Sequence, residues 1–176
     1  MEPRVEALAK IFDLNTDLLL NCTTDLSESL ANARLRGGGN SISFLVAHLT
    51  DARHFLADLL GAPLPNPIGT ALADVDSIED IREMPALGEL LDAWRRVSAH
   101  LAERFGDLDA DDVDAPTPQT LPIPGGRALD AMAFLAEHDS YHLGQIAFLR
   151  RQLGLPAMRY DRRTPDGADA RGDRPS

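Results

Sequence analysis

The 176-residue chain contains a single cysteine, Cys22. No internal disulfide can form, and a cysteine-built zinc site is excluded. Such usage suits a reducing, cytoplasmic setting. Aromatic residues are only 5% of the chain, while Leu and Ala dominate. That mix favours helices packed through aliphatic ridges over a sheet of β-branched residues. Basic residues are also in the minority, 17 against 28 acidic ones, for a formal charge of −11. A chain this acidic is repelled by phosphate backbones and anionic lipid, so neither nucleic acid nor membrane is an expected partner. No apolar run approaches the roughly 20 residues of a membrane span. The opening MEPRVEALAKIF does not read as a signal peptide.

What is present is helical periodicity. Residues 3–34 carry Val5, Leu8, Phe12, Leu19, Cys22, Leu26 and Leu30 at helical spacing, with Asn15 on the same stripe. Gly37-Gly38-Gly39 ends that segment, and Asn40 and Ser41 are both candidate N-caps for the next. A second helix reaches about Leu60 and aligns Leu45, His48, Ala52, Phe55, Leu56 and Leu59 on one face. Gly61 is its stop, and Pro63, Pro65 and Pro67 make an irregular connection. A short turn capped by Ser77 is expected before Met84. A third helix from near Pro85 uses Leu87, Leu91, Trp94, Val97, Leu101 and Phe105, and Gly106 stops it. Residues 107–126, rich in Asp, Pro and Gly, read as loop. A fourth helix spans about Arg127 to Leu153 with Ala131, Leu135, His138, His142, Ile146 and Leu149 as its inward stripe.

Four long amphipathic helices and no persuasive strand predict an all-α, antiparallel four-helix bundle with two longer connections, 61–84 and 107–126. The domain is expected over residues 1–160, followed by a flexible tail over 161–176, where the composition turns to Arg, Asp, Gly and Pro.

The chemistry-bearing feature is a set of histidines. Residues four apart on a helix lie one turn above each other, at roughly 5–6 Å between Cβ atoms. His138 and His142 therefore point the same way and can share one metal ion. His48 lies on the stripe of the second helix. With five histidines in the chain, one such i,i+4 pair is expected by chance about 0.14 times, so placement carries more weight than spacing. A histidine on an apolar stripe more often bonds a carbonyl than a metal, and the residues alone leave both readings open. His54 and His100 fall off the stripes and read as surface residues. Glu137 and Asp139 read as pointing away from the metal face, and Asp51 as a surface charge or an orienting partner on the second helix. Arg150 and Arg151 read as ion-pairing residues at a helix C-terminus. Gln145, Tyr141 and Asn15 are candidates for contact with the pocket. Trp94 and Cys22 read as core.

The segments HDSYHLGQIAFLRRQLG and FLVAHLTDARHFL resemble the DinB-like family of metal-binding four-helix bundles, in outline over residues 3 to 155. The resemblance implies that His48, His138 and His142 bind a divalent metal, with Zn, Ni or Fe foremost. It also implies kinship with thiol-dependent transferases, and hence a low-molecular-weight thiol as a possible co-substrate. Three nitrogen ligands leave coordination positions open, as in catalytic sites. The expectation is therefore a metal-dependent transferase or hydrolase acting on a small molecule, in a chain that can pair as a homodimer. The alternative is a non-catalytic, metal-stabilised bundle that binds a partner or itself.

Overall fold

The computed structural model describes residues 1–36, 38–73, 77–81, 83–117 and 121–160. The expected tail at 161–176 lies outside the described residues. Among the described residues seven helices follow one another: α1 (Pro3–Cys22), α2 (Glu28–Ala31), α3 (Ile42–Leu59), α4 (Gly69–Leu72), α5 (Leu87–Asp107), α6 (Ala110–Asp114) and α7 (Ala128–Gln152), with a 3₁₀ turn at Ile78–Asp80. Among the described residues there is no strand, only an isolated bridge between Pro116 and Arg127. No described helix is long and apolar enough to cross a membrane.

The four long helices pack as a ring in the order α1, α7, α3, α5. Their directions do not simply alternate. One apolar cluster joins Leu18, Leu19 and Cys22 of α1 to the start of α3 and α5 and to Leu143 and Ile146 of α7. The other joins Val5 and Phe12 to the ends of α3 and α5 and the first half of α7. Hence α1 and α7 run parallel, α3 and α5 run parallel, and the two pairs oppose each other. The connection after Leu60 makes this possible, because it is long enough to carry the chain back along the bundle before α5 begins. It is pinned at its start: Arg104 Nε donates to Leu60 O at 2.8 Å, His100 Nε2 to Ala62 O at 2.8 Å, and His54 Nδ1 to Leu64 O at 3.1 Å. His54 is buried and His100 half-buried, so neither is the surface residue its register predicts. Asp51 is engaged here too, accepting from Asn66 Nδ2 at 2.7 Å.

Helix ends follow local chemistry. Ser41, not Asn40, caps α3, its Oγ accepting from Phe44 N at 3.2 Å. At the other end Gly61 N bonds Asp58 O and Ala62 N bonds Ala57 O, with Gly61 at φ +71°; this is a Schellman stop. Gly154 closes α7 in the same manner, through Arg151 O and Arg150 O.

The first helix is shorter than its apolar period predicts. It stops at Cys22, where the Thr23 and Thr24 hydroxyls turn back to Leu19 O and Leu20 O and Asp25 adopts φ +58°. The freed carbonyls of Cys22 and Thr24 are taken by Arg150 Nη1 at 3.0 and 2.6 Å. Arg150 is therefore a buried cap on the parallel neighbour, where a cation also suits the helix dipole, and not an exposed ion-pairing residue. The 107–126 segment likewise contains more order than loop chemistry implies: Asp109 caps the five-residue α6, which buries Val113.

Gly125, at φ +126°, precedes α7, and a Cβ there would lie 2.0 Å from Asp130 Oδ2. That carboxylate is held by the backbone and guanidinium of Arg127. Gly144 lies inside α7 with open space around it. Gly125→Ala is expected to lower stability by about 1–3 kcal/mol, and Gly144→Ala to raise it by about 0.5–1 kcal/mol. Thermal melts of the two variants against the parent check both signs.

Candidate metal centre

Between the two apolar clusters lies a polar layer. Its centre is Arg53 of α3, 2% exposed. Its Nε and Nη2 donate to Asp139 Oδ2 of α7 at 3.0 and 2.8 Å, its Nη1 to the hydroxyls of Thr16 on α1 and Ser98 on α5, and its Nη2 also to Phe12 O on α1. The guanidinium lies 3.7 Å from the centroid of the Trp94 ring. All five guanidinium donors are thus used, across all four long helices. Burial pushes Asp139 up and Arg53 down from their ordinary values, and the opposite charge of each partner works against that shift. Asp139 is therefore inward-facing and committed to Arg53, whereas its register predicts an outward or orienting carboxylate. Asn15 belongs to the same layer: its Nδ2 donates to Ser140 Oγ at 3.0 Å and to Ala136 O at 3.4 Å, away from the histidines.

With Asp139 pointing into the core, His138 and His142 sit roughly 100° and 60° around α7 from it, both on the same side. They face α3 and meet His48 there. All three are half-buried, on the flank of the core and not at its centre. One donor nitrogen from each lies within 4.8 Å of the others, and His48 Nε2 and His138 Nε2 are 2.9 Å apart. The rings are inclined at 61° to 85° to one another, with centroids 4.5 to 4.9 Å apart. Two facing Nε2 atoms can share at most one proton, so at least one of them presents a lone pair to the other. Burial, followed by the neighbouring imidazoles, pushes His138 down to about 4. His48 is held below its ordinary value by burial and then by His142. Both are neutral at pH 7, the form that ligates a metal.

The surroundings of the three rings differ. Phe44 stacks on His48 with planes 2° apart at 6.2 Å, Phe134 tilts against His138 at 6.0 Å, and Tyr141 meets His142 edge-on at 5.0 Å. Tyr141 is 58% exposed. His142 Nδ1 bonds Gln145 Oε1 at 2.8 Å, while His138 Nδ1 is buried with no partner among the described residues. Three imidazole nitrogens converging from two rigid helices are a donor set that fits a divalent ion of the kind imidazoles favour. Glu137 and Arg151 are exposed and stand apart from this chemistry.

Arg53, Thr16, Ser98 and the flanking phenylalanines were not legible as parts of this region. An arginine inside an otherwise apolar helix stripe is the signal that could have pointed to the polar layer. Cys22 is fully buried, which pushes its thiol up to about 12.

A family model described as the DinB superfamily matches residues 11–146, more than half of the chain, so the chain belongs to that superfamily. A search of curated proteins found no match.

Two outcomes follow from this geometry. Arg53→Met leaves a buried carboxylate without its partner and is expected to cost about 3–5 kcal/mol, whereas the double replacement Arg53→Met with Asp139→Leu recovers most of it. Urea denaturation of the three proteins reads this directly, and a single variant within 1 kcal/mol of the parent would refute the assigned role. Cys22 is expected to resist a chromogenic disulfide reagent in the native protein and to react at once after unfolding.

Proposed function

We propose that this member of the DinB superfamily is a metal-dependent enzyme acting on a small molecule, with His48, His138 and His142 as the ligands of one divalent ion, Zn, Ni or Fe. The observation that carries the reading is the convergence of three half-buried imidazole nitrogens within 4.8 Å. His48, His138 and His142 would hold such an ion, and it would supply acidification of a water or thiol that reached it. The reaction class is accordingly a transfer that uses a low-molecular-weight thiol, or a hydrolysis.

The chain's own residues supply position and access. The α3 and α7 backbones hold the three rings, and Phe44 and Phe134 pack against two of them. The half-buried setting keeps the cluster reachable from solvent, which a purely structural ion does not require. Asp139 is engaged with Arg53, so this carboxylate is not free to move a proton at the site.

Elemental analysis of purified, untagged protein by inductively coupled plasma mass spectrometry, beside His142→Ala, tests the reading. Near-stoichiometric metal in the parent, lost in a variant that keeps its circular dichroism spectrum, is the expected result. An absence of metal in the parent even after reconstitution with Zn, Ni or Fe would overturn it. Stoichiometric metal without thiol- or water-dependent turnover would favour a metal-stabilised binding module.

A further inference from the structure

The three histidines are held in different ways. His48 is stacked on Phe44, and His138 has a buried Nδ1 without a partner. Among the described residues, only His142 has a polar partner outside the triad, the amide oxygen of Gln145 at 2.8 Å from Nδ1. Gln145 follows His142 by three residues on α7, so its side chain lies one turn further along the same flank. Its Oε1 can only accept a hydrogen bond. The bond therefore requires a proton on His142 Nδ1. In the neutral imidazole, which carries one proton, Nε2 is then left as a lone pair. A bond from this acceptor also restricts rotation of the ring about its Cβ–Cγ axis.

We propose that Gln145 is a positioning residue that sets the tautomer and ring orientation of His142, making Nε2 its ligating atom. This rests on the three-histidine reading of the site. A hydrogen-bonded outer partner of this kind commonly raises metal affinity 10–100-fold. Gln145 does so without adding a charge. The opposite amide orientation would place an N–H donor against Nδ1, move the imidazole proton to Nε2 and leave that nitrogen unable to ligate. The two arrangements predict opposite tautomers.

The test uses the full chain labelled with ¹⁵N in its histidines. Two-bond ¹H–¹⁵N correlation spectra of the metal-free protein report which nitrogen of His142 carries the proton. The expected result is Nδ1–H in the parent, Nδ1–H retained in Gln145→Glu, and a shift towards Nε2–H in Gln145→Leu. Zinc affinity, measured by competition with a chromophoric chelator, is expected to fall 10–100-fold in Gln145→Leu and to be kept or raised in Gln145→Glu. A parent with Nε2–H, or a Leu variant with unchanged tautomer and zinc affinity, would overturn the proposal. A parent that binds no zinc yet loses its Nδ1–H tautomer in Gln145→Leu would overturn the metal reading while upholding the tautomer assignment.

Discussion

The bundle is organised around one guanidinium. Arg53 reaches α1, α5 and α7 from α3, spends all five of its donors, and lies over the face of Trp94. A buried ion pair of this kind adds little net stability over an apolar replacement, because desolvating both charges offsets most of their attraction. Its effect is directional. An apolar side chain tolerates several rotations of its helix, whereas a guanidinium with five fixed donors tolerates few. The acceptors are spread over Phe12, Thr16, Ser98 and Asp139, so they set the rotation and height of three helices against the fourth.

The candidate metal centre is a consequence of that constraint. Asp139 faces Arg53, and the turn of the helix then carries His138 and His142 to the flank of α7 that meets His48. The polar layer divides the core into two apolar clusters, and the histidines lie at its level, beside it. This placement explains two properties together. The rings are desolvated enough for His48 and His138 to be neutral at pH 7. They are also only half-buried, with the exposed ring of Tyr141 edge-on to His142. Further out, the same rings would be better hydrated and would gain protons more readily.

The parallel pairing of α1 with α7 and of α3 with α5 has its own logic. Arg150 near the end of α7 can cap the end of α1 only because the two helices finish at the same end of the bundle. The crossover that makes α3 and α5 neighbours is fastened by His54, His100 and Arg104 to backbone carbonyls of residues 60–64. Two of the five histidines are thus structural, and three converge as donors.

Local chemistry made much of this readable beforehand. Apolar periodicity and helix-breaking residues located the four long helices, and Ser41, Gly61 and Gly154 act where their side-chain chemistry and φ freedom suit them. The i,i+4 spacing placed His138 and His142 on one face, and the resemblance joined His48 to them. Other features depend on partners distant in the chain, which periodicity does not encode. Apolar residues lie on most faces of α7; its period put His138, His142 and Leu149 on the inward stripe, where they are only half-buried, and the inward face runs instead through Asp139, Leu143 and Arg150. That direction was decided by Asp139 meeting Arg53, 86 residues away in sequence. The carbonyls freed where α1 stops at Cys22 likewise find their donor in Arg150, and buried His54 its partner in the carbonyl of Leu64. By itself the sequence determined which residues form helices and which histidines share a face, because both are properties of a single turn. Only the tertiary structure decided which way each face turns, because a buried charge must find its counter-charge and every buried carbonyl a donor.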